Sequence, residues 1–172
     1  PCLLSRLETA SGMIECAPDF IVADLQRLAA DAALRAAPDA GALRLIGRRH
    51  VRSNNSWMHN APRLVKGKPR HHLLLHGDEL RARGIIEGSR VRLRSRIGAI
   101  EVEVRADDGL ARGVACLPHG FGHQGEGMRQ ARAAQVEGAN YNALTDPLAL
   151  DQPSGNAALN GLPVWIETLA PA

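Results

Sequence analysis

Aromatic side chains are scarce. They make up 3% of the 172 residues, so any core must be filled by aliphatic groups. The same scarcity argues against a protein that stacks single-stranded nucleic acid bases on rings. Cysteine is sparse too. Cys2, Cys16 and Cys116 form no Cys-x-x-Cys pair, which excludes a disulfide framework and fits a reducing, cytoplasmic setting. No run of eighteen apolar residues occurs, so no membrane segment is expected, and no secretory leader is visible. Short catalytic signatures such as Gly-x-Ser-x-Gly, His-Glu-x-x-His and the phosphate-binding Gly-x-x-x-x-Gly-Lys-Ser/Thr are missing. Polar loops without a recognisable acid, base or nucleophile point to a module that holds a cofactor made reactive elsewhere. No catalytic residue is assigned.

Glycine and proline are abundant instead, at seventeen and ten residues, a composition of many turns. The most regular stretch is Gly88–Arg105. Val91, Leu93 and Ser95 alternate with Arg90, Arg92, Arg94 and Arg96; beyond Gly98, Ile100, Val102 and Val104 alternate with Glu101, Glu103 and Arg105. Period-two patterning predicts two half-buried strands, with Gly98 serving the reversal between them. Arginines on one strand oppose glutamates on the other, pairs worth roughly 0.2–1 kcal/mol each. A lone hairpin is marginal in water, so further strands are expected at 43–46, 72–75, 113–117 and 161–169. Met13–Cys16 also has strand-like character. A helix is predicted from Asp19 to Ala37, ended by Pro38 and Gly41, with shorter helical pieces at Glu79–Arg83 and Arg129–Ala134.

Six or seven short strands, one substantial helix and long connections predict a mainly β fold with helical decoration, a barrel ahead of a sandwich. Residues 1–40 read as an N-terminal arm and helix, and 41–172 as the barrel. The opening Pro1-Cys2-Leu3-Leu4 lacks methionine and reads as part of a longer product.

Net charge is only +3, yet residues 41–77 carry eight Lys or Arg and no Asp or Glu. Such a field attracts phosphates, nucleic acid or an acidic protein face, unless it is plain solvated loop. Three loops gather polar side chains. In 47–60, Arg48, Arg49 and Arg52 can fork onto phosphate oxygens, and Ser53, Asn54, Asn55 and Ser56 add uncharged donors and acceptors. Trp57 either stacks on a ligand or fills a corner. In 116–123, Cys116, His119 and His123 lack a fourth metal ligand, and Cys116 reads as core. The glycines there would let backbone N–H groups approach an anion or ring. In 138–156, Asn140, Asn142, Thr145, Asp146, Asp151, Ser154 and Asn156 offer hydrogen-bond edges. An Asp can accept two adjacent N–H groups of a guanine, while turn formation accounts for others.

The stretches GRRHVRSNNSWMHN, GVACLPHGFGH and NYNALTDPLALDQPSGN, in this order and approximate spacing, resemble the C-terminal domain of the molybdopterin oxidoreductases. That superfamily holds formate dehydrogenases, nitrate reductases and dimethyl sulfoxide reductases; the likeness spans about residues 12–169. It implies a six-stranded double-psi β-barrel over one side of a bis(molybdopterin guanine dinucleotide) centre of molybdenum or tungsten. It implies cofactor-facing positions at Gly47, Arg48, Arg49, His50, Ser53, Asn54, Ser56, Trp57 and His59, at His119 and Gly120, and at Asn142, Thr145 and Asn156. No metal ligand is implied in this stretch. The implied partners are N-terminal domains of the same polypeptide, carrying a [4Fe-4S] cluster on a Cys-x-x-Cys-x-x-x-Cys motif absent here, and an electron-transfer subunit. The domain alone is expected to be inactive, with no nucleic acid partner. On charge alone, the alternative is a small basic β-barrel that binds RNA or a protein partner.

Overall fold

A computed structural model of the chain describes residues 2, 4–30 and 39–169. They form two compact units: the described residues of 1–37 with Asp151–Asn156, and those of 39–150 with 157–169. In the first unit, a 3-10 turn at Leu4–Arg6 precedes helix α1 (Asp19–Ala30). The predicted continuation of that helix to Ala37 lies outside the described residues. Met13–Cys16 is not a strand. Residues 151–156 close a turn through the Asp151 N–H, which donates to the Asn156 carbonyl at 2.8 Å.

The second unit is built from β1 (Leu43–Arg48), β2 (Leu73–Leu75), β3 (Arg90–Arg94), β4 (Ala99–Ala106), β5 (Val114–Pro118) and β6 (Leu162–Thr168). These strands close into the ring β1-β5-β2-β4-β3-β6. The pairs β1/β5 and β2/β4 run parallel, and the other neighbours antiparallel. Advancing every strand by three maps the ring onto itself, with one parallel pair falling on the other. That internal two-fold is the topology of a double-psi barrel. Closure removes the free edges a sandwich would leave.

Alternation places Leu43 and Leu45, Leu73 and Leu75, Val91 and Leu93, Val102 and Val104, Ala115 and Leu117, and Leu162 and Val164 inside the ring. The core is aliphatic, as the composition requires, with Tyr141 the one large aromatic in it. Outside, the arginines of the hairpin are neutralised one by one. Arg92 meets Glu101 at 3.3 Å, Arg94 meets Glu167 at 3.0 Å, Arg96 meets Asp146 at 2.6 Å, and Arg90 meets Glu137 at 3.6 Å. Only the first of these pairs is the predicted partner across the hairpin. The others reach to β6 and to the long loop after β5.

Gly98 has no positive φ, so the turn does not need its flexibility. A Cβ there would lie 2.6 Å from the Ala143 carbonyl oxygen. Close packing, not reversal, explains this glycine. Two short helices complete the unit. Helix α2 (Pro62–Val65), absent from the sequence expectation, opens on a proline, which suits a first turn. Helix α3 (Gly77–Ala82) starts before the predicted Glu79, because the His76 ring accepts from the Asp78 N–H and caps it. The helical turn expected at 129–134 is a 3-10 turn at Ala133–Gln135. Among the described residues, no helix is long and apolar enough to cross a membrane.

Leu93 and Arg92 neighbour each other on β3 but face opposite ways. Leu93→Ala should lower unfolding free energy by about 2–5 kcal/mol, and Arg92→Ala by less than about 1 kcal/mol. Urea melts of the two variants check this.

Candidate functional site

Strand direction decides which loops meet. Because β1 and β5 are parallel and in register from Arg44↔Val114 to Arg48↔Pro118, the loops that follow them leave from the same end of the barrel. β3 is antiparallel to β6, which is antiparallel to β1, so the turn at 95–98 lies at that end too. β2 is antiparallel to β5, which puts its leading residues His71 and His72 there as well.

Contacts confirm this convergence. A Cβ on Gly47 would stand 2.5 Å from the His119 ring, and one on Gly122 would stand 2.5 Å from the Asn140 nitrogen. A Cβ on Gly120 would run into the backbone of Asn55. Thus Gly120 and Gly122 make room for the first and third loops. The His119 ring stacks on Tyr141 at 3.7 Å. His59 Nδ1 and His123 Nε2 are 2.7 Å apart. Asn60 bonds across to Gln130 at 3.3 Å and to the Ala133 N–H at 3.0 Å.

Of the residues named from the sequence, Ser53, His59 and His119 are buried. Ser53 Oγ donates to the His50 carbonyl at 3.1 Å, and the His50 ring accepts from the Arg52 N–H at 3.3 Å. Asn54 and Asn55 both adopt positive φ, 41° and 61°, the left-handed turn that asparagine tolerates. Arg49 and Asn142 are exposed and Ser56 is half-buried. Trp57 is 78% exposed, so it fills no corner of the barrel. Thr145 Oγ1 donates to the Asn142 carbonyl at 2.8 Å. The Asp146 carboxylate is gripped on both oxygens by Arg96, at 2.6 and 2.7 Å, so it is spoken for within the protein. Asn156 belongs to the first unit.

Sequence reasoning missed the cleft. About 390 Å³ in volume, it runs between the segment 52–70, Phe121 and the stretch 132–137. Arg52, Lys66, Lys68, Arg70 and Arg132 line it with a single carboxylate, Glu137. The acid-free run at 41–77 was the available signal; Arg132, some sixty residues on, was not foreseeable. The spacing Gly120-x-Gly122-x-x-Gly125 follows a strand as a dinucleotide fingerprint does, but no helix follows it, so that mechanism does not apply.

Electrostatics divide the surface. Arg90, Arg92, Arg94, Arg96 and Arg105 have carboxylate partners, whereas Arg44 of β1 donates to the Gly161 carbonyl. Among the described residues, Arg48, Arg49, Arg52, Arg63, Lys66, Lys68 and Arg70 have none. Arg48 and Arg70 donate to backbone carbonyls. His119 Nε2 and Arg48 Nε are buried without a hydrogen-bond partner. Burial, then the Arg49 charge, pushes His119 down to about 4. Burial foremost pushes His71 down to about 4. Burial, then Arg70, Arg48 and Arg52, holds His50 below its ordinary value. Among the described residues, no three His, Cys, Asp or Glu side chains are placed to hold a metal ion.

Two outcomes follow for the rim. Gly120→Ala forces a Cβ into Asn55 at a φ of +87°; a loss of roughly 1–3 kcal/mol and faster amide exchange at 53–58 are expected. His71 and His119 stay neutral in the folded chain to about pH 4, whereas unfolded histidines titrate near 6.5. Between those values the unfolded chain binds more protons, so stability is lost as pH falls from about 6.5 toward 4. His119→Gln should flatten that slope in urea melts taken across the window.

Residues 43–163 match the family described as molydopterin dinucleotide binding domain. Among solved structures, acetylene hydratase from Pelobacter acetylenicus is similar, with a TM-score of 0.62 and 20% identity. The likeness, one of fold, covers 74% of this chain and 18% of that one, so the chain spans less than a fifth of its neighbour's length. No curated protein matches. The family match takes in the three rim loops through Leu150, the cleft and the barrel from β1 to the start of β6. The chain therefore belongs to the molydopterin dinucleotide binding domain family.

Proposed function

We propose that the cation-bearing rim seats one molybdopterin guanine dinucleotide of a bis(molybdopterin guanine dinucleotide) centre of molybdenum or tungsten. The supporting observation is the contrast in charge. The arginines of β3 are neutralised by carboxylates, while the Lys and Arg residues of the first loop and cleft are left without them.

The residues present fit the group. Arg52, Lys66, Lys68, Arg70 and Arg132 surround a cleft of about 390 Å³, suited to a diphosphate. His119 Nε2 and Arg48 Nε are buried polar atoms lacking partners, suited to the ring or ribose edge of the ligand. Arg49, His50, Asn54, Ser56, Trp57 and His59 from the first loop, Gly47 and Gly120 beside it, and Asn142 and Thr145 from the third complete the proposed cradle. When bound, the group supplies a metal centre able to exchange two electrons. This chain's residues offset phosphate charge, orient the heterocycle through neutral side chains, and exclude water by interlocking the loops.

The finer parts of the assignment concern the longer polypeptide. They comprise an oxidoreductase activity of the formate dehydrogenase-like kind, N-terminal domains with a [4Fe-4S] cluster, an electron-transfer subunit and a cytoplasmic location. Residues 1–40 would be an arm and 41–172 the barrel, inactive alone. The solved neighbour is named a hydratase, so the reaction is read as set outside the barrel. An RNA or protein partner for a basic barrel finds less support: the arginines of β3 are already paired, and Trp57 is the one Phe, Trp or Tyr in the basic run 41–77.

NMR titration of the 172-residue chain with GDP should shift amides in 47–70, 118–123 and 140–145. Lys68→Ala, at an exposed position, should weaken GDP roughly 3–10-fold while leaving the urea midpoint unchanged. Shifts confined to the outer faces of β3 and β6 would overturn the proposal.

A further inference from the structure

Resting on the reading that the cleft takes the ligand's diphosphate, we propose that the His59–His123 pair takes up one proton when that dianion binds. The bridge between the rings, His59 Nδ1 to His123 Nε2, is 2.7 Å long, so one nitrogen donates and the other accepts. The rings meet edge to face, with centroids 4.9 Å apart. His59 is only 2% exposed and lies against Phe121 at 4.6 Å, which in turn touches His71 at 4.8 Å. His59 also lines the cleft.

Each neutral ring carries one proton, and one of the two lies in the bridge. A third proton can enter on a nitrogen outside the bridge and leave the bond intact. A fourth would make both bridging nitrogens donors and break it. The pair therefore accepts one added proton and resists a second, as coupled sites do. The only bond formed is N–H, and the proton comes from solvent.

In the free chain the first of these protons is opposed. Burial, then the neighbouring His123, holds His59 below its ordinary value. The cations that line the cleft with it are Arg52 from its own loop, Lys66, Lys68 and Arg70 from the segment after α2, and Arg132 from the stretch 132–137. Glu137 is the single acid lining the cleft, and Arg90 engages it at 3.6 Å. His71, behind Phe121, is neutral to about pH 4. A dianion among these cations reverses the local sign, and an opposite charge within roughly 4–6 Å moves a titration by about 1–3 units. That favours the added proton on the pair. Because the bridge joins the first loop to the second, the charge change is stored in the contact that holds two rim loops together.

The test is calorimetry of the 172-residue chain with di(guanosine-5′) diphosphate, a diester whose phosphates carry no proton that titrates near neutrality. Binding is measured at about pH 7 in two buffers of different ionisation enthalpy. The expected difference in apparent enthalpy corresponds to roughly 0.3–0.9 proton taken up per ligand, falling below about 0.1 in His59→Gln and His123→Gln. In the unmodified chain, ring ¹⁵N signals of His59 and His123 should move toward the imidazolium pattern at saturation. Binding with buffer-independent enthalpy, or ring signals that stay neutral, overturns the proton uptake and leaves the cleft reading standing. Uptake that persists in both variants assigns the proton elsewhere and also overturns it. No binding, with no shifts in 52–70 and 132–137, overturns the cleft reading and this inference together.

Discussion

The parallel pairing of β1 with β5 is the constraint on which the rim depends. Two strands separated by some seventy residues end side by side, at Arg48 and Pro118, so the loops after them must share one end of the barrel. Parallel neighbours require a crossover rather than a hairpin, and the crossovers here supply the length from which a ligand-sized surface can be built. Glycines then bring the loops into backbone contact. Gly47, Gly120 and Gly122 each stand where a methyl group would strike another loop or the His119 ring. The rim is a set of interlocked loops rather than three independent ones, which is how a polar surface can be held in one geometry without a helix beneath it.

Much of the barrel was legible from alternation. Val91 to Leu93 and Ile100 to Val104 are buried as their period demands, because each side chain has only two directions to choose between. The short strands β1, β2, β5 and β6 were found as apolar runs bounded by turn residues. Ring order was not legible from periodicity, since pairing between distant strands leaves no local trace; there the family resemblance supplied what pattern could not.

For the candidate site, the resemblance and the charge run together pointed to loops that converge at one end of the barrel, but not to the shape of the cleft there. Arg132 and the bridge from His59 to His123 join positions sixty or more residues apart, and no local pattern marks either. Gly98 shows the opposite error. Its place between two strands suggested a turn, whereas the Ala143 carbonyl packed against it is the reason no side chain fits. Asp146, grouped from the sequence with the hydrogen-bonding side chains of its loop, is a tether for the hairpin, locked on Arg96.

The two-fold in the strand order makes the barrel's ends topological equals, yet they are furnished differently. At the end opposite the candidate site, Asp78 is bound by Arg81 and Arg112, Glu79 by Arg83, and Asp108 by the Gly77 N–H. Cations there are matched by acids, while at the other end those of the first loop and cleft, Arg48, Arg49, Arg52, Arg63, Lys66, Lys68 and Arg70, have no carboxylate partner among the described residues. A molecule so arranged has an electrical polarity along the barrel axis, and an anion drifting past is turned toward one mouth before any contact is made. Duplicated topology supplied two equivalent ends, and the distribution of side-chain charges makes them electrically unlike.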